Sequence, residues 1–198
     1  MIVLDIETSG LDFYKCGIWQ IGALDFYNPD NYFFQEARID DEDIAQPKAL
    51  EITGKTEKDL RDRSKQSQMQ LLGKLFNWSK SCRVVNCGCE NPQFDVNFIE
   101  IKSKKYGLKF PFPHRAFDLH STAQERYFQI HGEFLIKDGK SDMGLTNILK
   151  FVGMQDNRGA HTALEDARLE AEVFSRLYSG RNLIPEYAGF AIPEYLRR

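Results

Sequence analysis

Asp5 and Glu7 stand two residues apart in an apolar opening run, Ile2-Val3-Leu4-Asp5-Ile6-Glu7-Thr8-Ser9-Gly10. If that run is a strand, both carboxylates leave one face while Ile6 leaves the other. Two carboxylates so close raise each other's pKa unless a cation lies between them. Oxygen donors of this kind suit a hard divalent ion, Mg²⁺ or Mn²⁺. Alone, the pair also reads as polar residues at a strand's solvent edge. Two further acids extend the pattern. Asp95 follows Asn91-Pro92-Gln93-Phe94, and Asp166 lies five residues after His161 in His161-Thr162-Ala163-Leu164-Glu165-Asp166. Five helical residues turn through about 500°, so two fully helical residues at that spacing would face apart. His161 is therefore expected in the loop or first turn that Asn157, Arg158 and Gly159 lead into, with Asp166 projecting from the helix itself. Each of these groups has a plain reading by itself. Asp95 would be an anion favoured by a helix start, Asp166 a surface charge beside Arg168 or Glu170, and His161 an exposed helix-start residue. Together they are the groups that cation-assisted phosphodiester hydrolysis needs: carboxylates to hold two divalent ions and an imidazole that titrates near neutrality as base.

The elements that must position these groups follow from pattern. A second strand is expected from Ile18 to Tyr27, then a hairpin-like turn at Asn28-Pro29-Asp30-Asn31 into a third strand at Tyr32-Phe33-Phe34. Consecutive strands predict an antiparallel meander. Past Arg38 come charged loops and helices, with an amphipathic helix from about Ser67 to Ser81. A short strand, Arg83 to Cys87, leads to a helix opening at Asn91-Pro92, with Asn as N-cap, Pro at the first helical position and Phe94, Phe98 and Ile101 as its buried stripe. Ala116 to Leu119 reads as the last strand, and the polar stretch 132–143, with Asp138-Gly139, as a surface hairpin or loop. Gly144 to Val152 and Thr162 to Tyr178 read as helices, the latter stopped by Gly180. This order predicts an α/β fold, a mixed sheet with three antiparallel leading strands, flanked by helices. One domain is expected over residues 1–180, with a tail, 181–198, strapped across it.

Composition narrows the class. A chain of 198 residues suffices for one sizeable core. No apolar run reaches the length of a membrane span, and no basic, cleavable leader is evident, so a cytoplasmic location without membrane contact is expected. The net charge of −3 argues against a basic protein that coats nucleic acid. Taking the four motif acids from the total of 29 leaves the acids one short of the 26 basic residues, a surface fit to touch a few phosphates. Cys82, Cys87 and Cys89 crowd one stretch, but without a CxxC pair or nearby histidine they read as small buried apolar residues, not as a zinc site or disulfide. Lys102, Lys104, Lys105 and Lys109 form either a solvated face or a phosphate contact. His114, His120 and His131 read as loop or surface histidines.

The motifs resemble those of the DEDDh exonucleases, the family of the proofreading epsilon subunits of DNA polymerases and of RNase T. Asp5-Ile6-Glu7-Thr8-Ser9-Gly10-Leu11 resembles the family's D-x-E-T-T-G-L, with Ser9 in place of the second Thr. Trp19-Gln20-Ile21-Gly22-Ala23 is similar to its second strand, and Ile52-Thr53-Gly54-Lys55-Thr56 to its glycine-containing loop. Asn91 to Asp95 matches the second motif, although Glu90 stands where a His often precedes Asn91. His161 to Asp166 matches the third. The resemblance implies the RNase H-like fold and 3′→5′ hydrolysis of single-stranded DNA or RNA to nucleoside 5′-monophosphates. It implies a metal site of Asp5, Glu7, Asp95 and Asp166 for two divalent cations, Mg²⁺ or Mn²⁺. Asp5, Glu7 and Asp166 would hold one ion that activates water, with Asp5 shared by the second, Asp95 orienting water and His161 taking the proton. Thr8, Ser9, Gly10, Leu11, Asn91 and Phe94 would hold the single-stranded 3′ end, and a polymerase or other partner would act in trans. The readings from other classes are a non-catalytic nucleic-acid-binding or scaffold module on the same fold, and an RNase H-like endonuclease.

Overall fold

The computed structural model describes residues 1–156 and 162–197. A five-stranded sheet runs through it, built from β1 (Ile2–Thr8), β2 (Ile18–Asp25), β3 (Asn28–Glu36), β4 (Cys87–Cys89) and β5 (Phe117–Asp118). Its order is β3-β2-β1-β4-β5; β2 is antiparallel to both β1 and β3, and β4 runs parallel to β1 and β5. The alternation in β1 divides the core. Ile2, Leu4 and Ile6 pack with Leu71, Leu75, Phe98 and Ile99 on one face, while Met1 and Val3 pack with Ala167, Ala171 and Phe174 on the other. Asp5 and Glu7 therefore point toward that second face.

The helices are α1 (Pro47–Thr53), α2 (Glu57–Leu60), α3 (Gln68–Ser79), α4 (Pro92–Lys105), α5 (Leu119–His131), α6 (Leu145–Phe151) and α7 (Ala163–Ser179). α3 and α4 cover one face of the sheet; α5, α6 and α7 cover the other. Ser67 caps α3 through a reciprocal capping box with Gln70, and Thr162 caps α7 by accepting from the Glu165 N–H. A two-stranded hairpin, β6 (Ile136–Lys137) and β7 (Lys140–Ser141), turns at Asp138-Gly139, both with positive φ, as an Asp-Gly hairpin requires. The tail is docked by a buried ion pair. Arg176 bonds Glu172 at 2.8 Å and donates to the carbonyls of Tyr187 and Phe190, while Glu172 accepts the N–H groups of Leu183 and Ile184.

Several sequence expectations need correction. The first hairpin turns at Phe26-Tyr27, where Asp25 Oδ1 accepts the Tyr27 N–H, and Asn28-Pro29-Asp30-Asn31 lies within β3. Proline is tolerated there because β3 is the sheet's edge and its register shifts at that point. β4 starts at Cys87, not Arg83. The buried stripe of α4 is Asp95, Phe98, Ile99, Lys102 and Ser103, with Ile101 only half-buried. α5 was not expected. Asp118 ends β5 and at once caps that helix by accepting the Ser121 N–H, so Leu119 opens a helix instead of ending a strand.

Candidate active site

The site forms where β1 outruns its parallel neighbour. β1 pairs with β4 only at Ile2 and Val3, and Asp95 comes from the first turn of α4, which packs on β1. From the other side α7 is brought down onto β2. Gly22 leaves the room, since a Cβ there would run into Leu164 N and the Ala163 carbonyl. Gln20 fixes the seat: its Oε1 accepts the Ala163 N–H at 2.8 Å and its Nε2 donates to Glu36. The first turn of α7 then delivers Asp166 over β1.

Asp5, Glu7 and Asp166 offer carboxylate oxygens that all lie within 4.8 Å of one another. Asp95 is not in that mutual group; it stands beside Asp5 and is 5% exposed. Burial, then the charges of Asp95, Glu170, Asp166 and Glu7, push the Asp5 carboxyl well above the usual carboxylate range. Burial and Asp166 push Glu7 up to about 7, and burial is the main cause that takes Asp95 to about 8. Clustered, desolvated oxygens that oppose their own ionisation fit a hard divalent cation, which relieves both costs. Those residues would hold it.

Beside Glu7 lies a cavity of about 240 Å³, lined by Leu11, Phe94, Gln46, Ala49 and Ile52 among others. Its far wall is α1. Leu11 is 75% exposed, and Phe94 is braced edge-on by Phe98. Ser9 is fully buried, its hydroxyl accepting the Gly17 N–H and donating to the Ile44 carbonyl. The space over Gly10 is filled by the Gln46 side chain, whose Oε1 accepts the Leu11 N–H. Thr8 donates to the Gly10 carbonyl. These bonds shape the loop, leaving Leu11 as its outward group. Asn91 is exposed, makes no side-chain cap bond on α4, and lines a second, polar cavity of about 380 Å³ with Gln93, Asp118 and His120. His161 and the Asn157–Gly159 segment lie outside the described residues. Three lysines of the basic run are paired, and Lys109 is exposed. Lys102 is buried on Asp43 at 2.8 Å, Lys104 bonds Glu100, and Lys105 bonds Asp40 and Glu42.

Sequence reasoning passed over Gln20, Gly22 and Glu170. Gln20 and Gly22 lie in the motif-like second strand, where period-2 alternation puts both on the face of Asp5 and Glu7. Glu170 follows Asp166 by one helical turn, a spacing that marks a shared face.

The sequence profile of the RNase T-type exonucleases matches residues 2–174. A search of curated proteins by sequence finds no match. Among solved structures, the nuclease domain of 3′hExo, a DEDDh family member bound to rAMP, superposes with a TM-score of 0.68 at 17% identity over 98% of this chain and 95% of that one. Cell-death related nuclease 4 gives 0.69 at 15% identity over 89% of this chain and 62% of its own. E. coli exonuclease I in complex with a dT13 oligonucleotide gives 0.68 at 18% identity over 88% of this chain and 40% of its own. The chain thus spans less than two thirds of the latter two proteins. These likenesses share the mixed sheet and its flanking helices.

Proposed function

The chain belongs to the exonuclease family, and from that premise we propose that it is a divalent-cation-dependent 3′→5′ exonuclease releasing nucleoside 5′-monophosphates from single-stranded nucleic acid. The observation that carries this reading is the convergence of Asp5, Glu7 and Asp166 within 4.8 Å, next to a cavity lined by Leu11 and Phe94. Asp5, Glu7 and Asp166 would hold one cation and Asp5 would share a second, with Asp95 beside them. Bound there, divalent cations supply Lewis acidity for the attacking and leaving oxygens of a phosphodiester. Leu11 and Phe94 would grip the terminal base between apolar surfaces, and Asn91 would meet the strand next to it. His161, by its place in the third motif, would accept the proton of the attacking water. The structural relatives are described with an RNA nucleotide in one case and a DNA oligonucleotide in another, so the test uses both polymers. Matched DNA and RNA 20-mers carrying a 3′-terminal label are incubated with Mg²⁺, with Mn²⁺ or with EDTA. Labelled mononucleotide should appear from at least one polymer with either cation and vanish in EDTA and in D166N. Release that persists in EDTA, or release from neither polymer, would overturn the proposal.

A further inference from the structure

Gln46 opens α1 as its N-cap, yet its side chain makes no cap bond with that helix. It crosses instead to the loop after β1. Its backbone N–H donates to the Ser9 carbonyl at 2.7 Å, its stem and amide fill the space over Gly10, and Oε1 accepts the Leu11 N–H at 3.1 Å. That last bond fixes which way the amide is turned. The Leu11 N–H can only donate, so the amide oxygen must face it and the nitrogen is left on the other side. Nε2 makes no hydrogen bond among the described residues.

Gln46 also lines the cavity beside Glu7. The other polar side chains there have their donors committed. Thr8 donates to the Gly10 carbonyl, Thr53 donates to the Ala49 carbonyl, and Lys48 pairs with Glu51 at the surface. Glu7 belongs to the acid cluster. Among the described residues the cavity thus combines apolar walls, in Leu11, Phe94 and Ile52, with one uncommitted neutral donor, the Gln46 amide. Apolar walls select by size alone. A directed donor selects by chemistry, because only an acceptor at the right place satisfies it.

We propose that Gln46 reads the 3′-terminal nucleotide. Its Nε2 donates to an acceptor on that nucleotide: the base edge that all four bases share, purine N3 or pyrimidine O2, or the 2′ oxygen of a ribose. The inference rests on the exonuclease reading proposed above. Gln46 then has two tasks, one for each half of its amide. The oxygen holds Leu11 in place, and the nitrogen meets the residue that Leu11 and Phe94 grip. Because this bond holds the nucleotide and not the reacting phosphate, its loss should raise KM and leave kcat nearly unchanged.

The test uses three 5′-labelled single strands of one sequence that differ only in the last residue: a ribonucleotide, a deoxynucleotide or an abasic deoxyribose. Removal of that residue with Mg²⁺ is measured for the full chain as wild type, Q46M and Q46E. Methionine keeps the length of the side chain and loses donor and acceptor, whereas glutamate keeps the acceptor for the Leu11 N–H and loses the donor. On ends that carry the acceptor, both variants should lose about three- to ten-fold in kcat/KM, the worth of one neutral hydrogen bond, and lose it through KM. A loss on both nucleotide ends that disappears on the abasic end assigns the acceptor to the base. A loss on the ribonucleotide end alone assigns it to the 2′ oxygen. A loss of equal size on all three ends, or full recovery in Q46E, would reduce Gln46 to a brace of the loop and overturn the proposal, as would no loss on any end. If Q46M does not fold, Q46E carries the comparison, since the loss is read between ends within one variant. Wild type that shortens none of the three strands would overturn the exonuclease reading itself, whereas shortening indifferent to Gln46 overturns only the role given to this residue.

Discussion

Glu7 and Asp95, pushed up to about 7 and about 8, tie the stability of the metal-free protein to pH. Burial and mutual repulsion favour the protonated form in the folded state, so the folded pKa lies above the unfolded one. For raised carboxyls the stabilising contribution is complete below the ordinary value near 4 and is lost as pH climbs through about 7 to about 8. At Glu7 alone the displacement corresponds to roughly 3 kcal/mol before solvent screening is discounted. In EDTA, wild type should therefore lose Tm steadily between pH 5 and pH 8.5, and Mn²⁺ should restore most of the loss at the upper end. Asp5→Asn, which removes the charge that the other acids surround, should flatten that slope and raise the Tm at pH 8. Melting curves across this range decide it, and a wild-type slope no steeper than that of the Asn variant would disprove the account. Such repulsion is a cost that a cluster built for cations carries when they are removed.

At the scale of elements, the site depends on how closely α7 lies on β2. Gly22→Ala would press a methyl group against the backbone of Ala163 and Leu164, which cannot swing aside as a side chain can. It should destabilise by about 1–3 kcal/mol and weaken Mn²⁺ binding, because Asp166 rides on the displaced first turn. Gly73→Ala is the contrast. On α3 its Cβ meets nothing, and helix propensity should yield a gain of up to about 1 kcal/mol. Urea melts of both variants test the pair, and an unaffected Gly22→Ala would show that α7 is not seated as described. The same elements show what was legible in the sequence. The two-residue spacing of Asp5 and Glu7 gave their shared face and α7 carries a helical period with a Thr162 cap and a Gly180 stop, whereas the meeting of Asp166 with the first pair was legible only through the resemblance of the motifs to those of the exonuclease family. α5 could not, because β5 is two residues long and runs straight into its cap. The burial of Glu170 was not legible, because a lone acid on a helix carries no sign of burial. The pairing of Lys102 and Lys105 was not legible because their partners, Asp43 and Asp40, lie about sixty residues earlier in the chain.

Across the whole molecule, the path a strand can take decides between an enzyme that starts at ends and one that cuts internally. α1 lines the apolar cavity beside Glu7, and the loop before it is braced from behind. Asp43 is held by the buried Lys102 and by Gln68, Gln46 donates its N–H to the Ser9 carbonyl, and Gln46 Oε1 accepts the Leu11 N–H. At about 240 Å³ the cavity is smaller than the usual range for ligand pockets, so on the proposed reading it would take the terminal residue alone. On that reading a strand bound by Leu11 and Phe94 would end there, and an internal phosphodiester would reach the acids only if α1 moved away. Duplex ends should react more slowly than single strands, since exposing the last nucleotide costs a few kcal/mol of pairing and stacking. The measurement compares linear, circular and 3′-phosphorylated single strands of one sequence, together with the linear duplex, at fixed Mg²⁺ and salt. The linear strand should be degraded from its 3′ end, the 3′ phosphate should slow the start, and the circle should survive. A circle cut at a rate near that of the linear strand would mean that the α1 wall opens to internal sites and that the enzyme is an endonuclease.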